Sequence, residues 1–359
     1  MRSCGGEMAD ENLAGGEGAE HEGWTAVVGE LLGAARGAGR QLASWARSSG
    51  AADLPFMEDL IQAAEGVDPE EEFFRLTRRL GVDWDGSCDE LRDFARSRLT
   101  GEYAVDEFGF DPEFTERIVM PLLRVVAEKW FRIEVRGVEN LPAEGAALLV
   151  SNHAGALPWD ALILHAMVHR DTGRHTRLLG AGLVFETPYV HDFSRRIGAT
   201  VARREDADAL LEAGELVSVF PEGFKGLGKP YGERYRLQRF GRGGFVSTAV
   251  RAGAPIIPVA IVGSEEIYPL ISGAPTLARM LGLPYFPVTP FFPWFGMLGA
   301  IPLPVKWIIE IGEPIVTADL PEGTADDPMA VFRTTDRVRL GIQNRLYALL
   351  EERRHPFWG

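Results

Sequence analysis

From Phe131 onward the chain alternates short apolar, β-rich runs with helical patterns. The runs are FRIEVRG (131–137), AALLVS (146–151), TRLLG (176–180), LVSVF (216–220), PIIPVAIVG (255–263) and WIIEIG (307–312). Between them, residues near 159–169, 205–213 and 242–252 carry helical spacing. A closing helix is expected over 328–354, where Val338, Ile342, Leu346 and Leu349 form one stripe. A sheet wetted on one face would alternate apolar and polar residues. These runs are almost continuously apolar, so both faces must be covered. Strands interleaved with helices in this way restrict the chain to an α/β sheet flanked by helices.

The N-terminal part has a different texture. Residues 1–22 are acidic and glycine-rich and are expected to form a disordered tail. Residues 23–110 read as a helical region, with Pro near helix starts and Gly at helix ends, closing in a loop around 101–115. A helix is then expected from Pro112 to about Phe131. Residues 111–359 form the main domain in this reading.

Charge and cysteine content narrow the function. The net charge of −15 argues against nucleic acid as the partner. Two cysteines, Cys4 and Cys88, form no CxxC pair and supply neither a disulfide framework nor a thiolate metal site. No charged-then-apolar leader opens the chain, and a cytoplasmic protein is expected. The uncharged stretch from Leu281 to Val305 is long enough to cross a bilayer. However, Pro284, Pro287, Pro290 and Pro293 recur every third residue, followed by Pro302 and Pro304, and no α-helix survives that spacing.

Four pieces carry candidate chemistry. SNHAGALPWD (151–160) breaks an apolar strand into Asn152-His153, with Asp160 beyond a Gly/Pro turn. VFPEG (219–223) ends another strand at Glu222-Gly223. GATVARR (198–204) places Arg203 and Arg204 after a short β-like run, and arginine suits bidentate phosphate binding. Finally, Lys225, Lys229, Arg234, Arg236, Arg239 and Arg242 face a single acid, Glu233, between residues 225 and 244. Such local basicity suits an anionic ligand or headgroup. Singly, each piece also reads as an ordinary turn or a solvated surface. In open α/β sheets, however, ligands gather at the carboxyl ends of strands, where the first two pieces lie.

In order and spacing the pieces resemble the glycerolipid acyltransferase superfamily, of the 1-acylglycerol-3-phosphate type, over about residues 130–318. SNHAGALPWD looks like its first block and VFPEG like its third. GATVARR looks like the second, which ends in a phosphate-binding arginine; Arg204 aligns best and Arg203 next. PIIPVAIVG, with Pro258, resembles the fourth. The usual first block is His-x4-Asp, whereas this chain has His-x6-Asp.

The resemblance implies a mixed, mostly parallel sheet flanked by helices. It also implies transfer of a fatty acyl group from acyl-CoA or acyl-carrier protein to a hydroxyl of a lysophospholipid or glyceride. His153 would be the general base and Asp160 its orienting partner. Asn152, Arg203, Arg204, Glu222, Gly223, Lys225 and Pro258 would contact substrate. The acyl donor is a co-substrate and no cofactor is implied. Insoluble substrates imply a membrane surface as partner, and Phe286, Phe291, Phe292, Trp294 and Phe295 suit an interfacial wedge or an acyl tunnel as well as a buried loop.

Two other readings remain open. A lipid hydrolase is disfavoured because no GxSxG elbow is present. The other is a lipid-binding scaffold whose shifted acid has lost catalysis. The lone histidines His165, His169 and His175 do not suggest a metal, although His165 and His169 stand four residues apart on a helix, a spacing that suits a ligand pair. With no third ligand in view, no metal is expected.

Overall fold

A computed structural model describes residues 103–155, 157–186, 190–273, 286–292, 294, 299 and 301–358, with residues 94, 97, 98, 100, 101 and 279. The chain divides into two compact units, Met1–Tyr103 and Ala104–Gly359. The acidic tail and most of the helical region expected before residue 104 lie outside the described residues.

The second unit is built on a seven-stranded sheet. Its first helix, α1 (residues 112–130), opens where Asp111 accepts a hydrogen bond from the Phe114 N–H and Pro112 takes the first helical position. Two wide π turns, Thr115–Val119 and Val126–Trp130, interrupt it. Pro121 lies between them, and its missing N–H removes one bond from the ladder. Then follow β1 (Glu134–Arg136), β2 (Ala147–Ser151), α2 (Trp159–Thr172), β3 (Thr176–Gly180), α3 (Gly182–Glu186), α4 (Val190–Arg196) and β4 (Ala199–Val201). The chain continues through α5 (Arg204–Glu212), β5 (Leu216–Val219), α6 (Phe224–Leu227), α7 (Gly244–Ala252) and β6 (Ile256–Val262). A two-stranded hairpin, β7 (Ser272–Gly273) with β8 (Pro287–Val288), precedes β9 (Ile308–Ile311) and the closing α8 (Pro328–Glu352).

The strand order is β1-β9-β6-β2-β5-β3-β4. Neighbours run parallel except β6 and β9, so the sheet is mixed and mostly parallel. Alternation along each strand divides the core into two layers. Ala147 and Leu149 of β2, with Ile257, Val259 and Ile261 of β6, pack beneath α1 and α2. Leu148 and Val150, with Ile256, Ala260 and Val262, pack beneath α5, α7 and α8. Every residue of β2 is buried, as its unbroken apolar run requires.

The strands and the longer helices of this unit follow the sequence pattern closely. The short helices α3 and α4 do not, because neither is long enough to show a period.

Candidate active site

The site forms where β2 and β5 end side by side. These strands are parallel, with Val150 opposite Val219. His153 and Glu222 each follow three residues after that pair, so register alone brings them together. The His153 N–H donates to Oε1 of Glu222 at 3.0 Å.

The loop after β2 folds back on itself. Gly155 adopts φ +85°, and a Cβ there would meet the Ser264 carbonyl oxygen at 3.3 Å. Leu157 and Pro158 stand out into solvent, while Ala154 and Asp160 remain buried. The two residues beyond the usual spacing are thus taken up in an outward bulge. Asp160 enters at the first turn of α2, where the positive end of the helix dipole favours a carboxylate. Its Oδ2 accepts from His153 Nδ1 at 2.8 Å and from the Ala154 N–H at 2.8 Å, and its Oδ1 accepts from the Ala161 N–H. Asp160 is fully buried and His153 nearly so, with the Phe220 ring centred 4.8 Å from the imidazole. An imidazole whose Nδ1–H is held by a buried carboxylate keeps Nε2 as its one basic atom. That is the arrangement a proton-accepting histidine needs.

The remaining residues of the two loops hold this pair in place. The Asn152 side chain binds the backbone of Ile261 in both directions, donating to its carbonyl at 3.0 Å and accepting from its N–H at 2.8 Å. Asn152 is fully buried, so its amide extends the sheet past the end of β2. Glu222 is buried as well. Its Oε2 accepts from the Gln238 N–H and from Lys229 Nζ at 3.2 Å. Lys229 also reaches Oε1 of Glu265 at 3.2 Å, and Oε2 of Glu265 accepts from the Tyr235 N–H. Burial pushes the Glu265 carboxyl up to about 7 against the pull of Lys229. This buried network joins the loops that follow β2, β5 and β6.

Gly223 turns the chain into α6 with φ +54° and ψ −144°, a conformation open to glycine alone, and has open space around its Cα. Gly226 presses directly on the histidine. A Cβ there would lie 2.6 Å from the His153 carbonyl oxygen and 3.0 Å from His153 Cβ. Gly226, the burial of Lys229, and Glu265 are not marked as site features by the sequence pattern. A glycine inside the basic stretch was the one signal available for the first.

Other sequence-derived candidates lie further out. Lys225 is exposed on α6. Arg203 and Arg204 are exposed at the start of α5, and Arg204 pairs with Asp208 at 3.3 Å. They follow β4, three strand positions from β2, about 14 Å at about 4.8 Å per strand. Pro258 lies within the sheet opposite Val150, three residues below the level of His153. Of the basic stretch, Lys229 is buried, whereas Arg234, Arg236, Arg239 and Arg242 are exposed between buried Tyr235, Leu237 and Phe240.

Among the described residues, no helix is long and apolar enough to cross a membrane. Around the β7–β8 hairpin, Ile271 (65% exposed), Phe291, Trp294 (73% exposed) and Ile301 present apolar surface to solvent. Phe286 and Phe292 are half-buried with ring centres 5.6 Å apart, and Phe295 lies outside the described residues.

A family model described as Acyltransferase matches residues 132–262. The chain is 57% identical over 268 residues to an uncharacterized protein of Mycobacterium tuberculosis, covering 74% of this chain and 75% of that one. It is 28% identical over 235 residues to a Bos taurus protein named DGAT1/2-independent enzyme synthesizing storage lipids, covering 64% and 66%. Among solved structures, the 1-acyl-sn-glycerophosphate acyltransferase PlsC of Thermotoga maritima matches with a TM-score of 0.43 and 18% identity, over 67% of this chain and 83% of that one.

Proposed function

The chain belongs to the glycerolipid acyltransferase superfamily, and from that premise we propose that it moves a fatty acyl group from a thioester, acyl-CoA or acyl-carrier protein, to a hydroxyl of a lysophospholipid or glyceride. The observation that carries this reading is the 2.8 Å bond between His153 Nδ1 and Asp160 Oδ2 inside a buried loop. Nε2 of His153 removes the acceptor's proton as its oxygen attacks the thioester carbonyl. Asp160 fixes the tautomer and stabilises the imidazolium that forms. His153 then returns the proton to the departing thiolate. The nucleophile is the acceptor itself, so no acyl-enzyme is needed.

In this reading Asn152 and Glu222 are positioning residues, because their polar atoms are engaged by the protein and buried. Arg203 and Arg204 take a phosphate of donor or acceptor at the far side of the sheet edge. Lys225 and the exposed arginines 234, 236, 239 and 242 meet anionic headgroups. The apolar surface around Ile271, Phe291, Trp294 and Ile301 seats the molecule on a bilayer. It approaches the site through Ile267, whose carbonyl accepts from the Leu303 N–H and whose side chain comes within 3.7 Å of the Gly155 Cβ position. The name of the bovine relative, an enzyme synthesizing storage lipids, supports a role in lipid synthesis.

The test is incubation of the full chain with labelled acyl-CoA and a mixture of lipid acceptors, followed by lipid mass spectrometry. A labelled ester on one acceptor class is the expected result. Labelled free fatty acid without any ester would indicate hydrolysis. Neither product, with lipid retained on the protein, would indicate a scaffold.

A further inference from the structure

At the opposite end of α2 from Asp160, three elements bring nitrogen and oxygen ligands together. Glu116 comes from α1, His169 from the last turn of α2, and His175 from the residue before β3. Nε2 of His175 is 3.1 Å from Glu116 Oε1, and Nε2 of His169 is 3.7 Å from the same oxygen. The two imidazoles stack with ring centres 4.4 Å apart. One donor atom from each of the three residues lies within 4.8 Å of the others.

We propose that Glu116, His169 and His175 form a zinc-class divalent cation site that staples α1 and α2 to the sheet. Bonds of about 2.0–2.2 Å in a tetrahedron separate ligand atoms by about 3.3 Å; the two edges to Glu116, 3.1 Å and 3.7 Å, lie close to that, and the two imidazole nitrogens lie within 4.8 Å of each other. Two imidazoles and a carboxylate are a borderline donor set suited to zinc, with water at the fourth position.

The surroundings provide a second argument. A metal-bound histidine characteristically donates its other ring N–H to a neighbour. Nδ1 of His175 lies 3.2 Å from Nε2 of His165, a fully buried imidazole with no other polar contact among the described residues. With a cation replacing the proton that His175 Nε2 shares with Glu116, the His175 proton moves to Nδ1 and His165 Nε2 becomes its acceptor. The sequence spacing suggests His165 and His169 as the pair. The fold instead makes His165 the supporting group and supplies His175 and Glu116 as ligands.

One contact opposes binding. Arg124 Nη2 lies 3.2 Å from His169 Nδ1 and donates to it, which leaves the proton on Nε2. Occupation of the site requires that proton to move to Nδ1 and the guanidinium to turn away. Arg124→Gln, with an amide oxygen able to accept from Nδ1–H, should therefore tighten binding.

The site lies nine residues along α2 from Asp160, about 14 Å at about 1.5 Å per residue. Its role is structural and independent of the acyl-transfer reading. The experiment is equilibrium dialysis of the tag-free, chelator-treated full chain against Zn²⁺, with Co²⁺ absorbance as a report on tetrahedral ligation. One equivalent should bind. His169→Ala and His175→Ala should each weaken affinity by roughly 100-fold or more, and His165→Leu by roughly 10- to 100-fold. Arg124→Gln should bind more tightly, and His191→Ala should match the wild type. Zn²⁺ should raise the melting temperature of the wild type but not that of His175→Ala. Absence of stoichiometric binding in the wild type, or affinity unchanged in His175→Ala, would overturn the proposal.

Discussion

Glu222 accepts a hydrogen bond from the backbone of His153, and Lys229 grips the same carboxylate from the other side. The two sequence blocks that carry His153 and Glu222 are 69 residues apart, yet they form one structural unit because β2 and β5 pair in register. Glu222 thus acts on the histidine through its main chain. The buried charges behind it set how rigidly His153 is held.

Gly226 tests this close packing. Any side chain there must displace the His153 carbonyl or the backbone of α6. Gly226→Ala should lower kcat by roughly 100-fold, the scale of a misplacement of about 1 Å at a reacting group. Stability should fall by only about 1–3 kcal/mol. Steady-state kinetics beside a denaturation curve checks it; wild-type kcat in a folded Gly226→Ala protein would show that His153 has room to spare.

The Lys229 network makes a stability prediction with a definite sign in pH. Lys229→Ala leaves the Glu222 carboxylate and the Glu265 carboxyl group buried without their cation and should cost roughly 3–5 kcal/mol. Glu265, with its carboxyl raised to about 7, holds a proton in the folded state that the unfolded chain releases near 4.5. Its contribution is complete below the unfolded value and is lost as pH rises through about 7. Stability of the wild type relative to Glu265→Gln should therefore fall between those limits. Urea melts across that window measure it, and parallel curves for the two proteins would contradict the assignment.

How far the site was legible depends on what fixes each part. The strands at 147–151, 216–219 and 256–262 were legible because they are buried on both faces and leave unbroken apolar runs. The turn residues His153, Asp160 and Glu222 were legible because they interrupt those runs. Lys229 was not, since a buried lysine and a solvated one look alike inside a basic stretch. The commitment of Asn152 to Ile261 was equally hidden, because it depends on a pairing across 109 residues. His175 and Glu116 meet only because α1 crosses the far end of α2, which no local period announces.

The exposed arginines give a different signature. Arg204→Gln, with Arg203→Gln if one replaces the other, should raise the apparent KM of the phosphate-bearing substrate while leaving kcat nearly unchanged. They stand too far from His153 to act on the reacting atoms. Unchanged constants for both donor and acceptor in the double variant would remove them from substrate binding.

Membrane docking has its own readout. Phe291→Asp with Trp294→Asp should reduce cosedimentation with anionic liposomes severalfold and leave the folded stability close to wild type, since both side chains are exposed. Equal cosedimentation of variant and wild type would assign that surface to another role.

The central claim is that His153, oriented by Asp160, takes the acceptor's proton. The most direct measurement is the initial rate of acyl transfer from labelled acyl-CoA by the wild type and Asp160→Asn, each checked for an intact melting transition. The account predicts a fall on the order of 10²- to 10⁴-fold, because an amide fixes the wrong tautomer and cannot stabilise the imidazolium. Full activity in Asp160→Asn would contradict it.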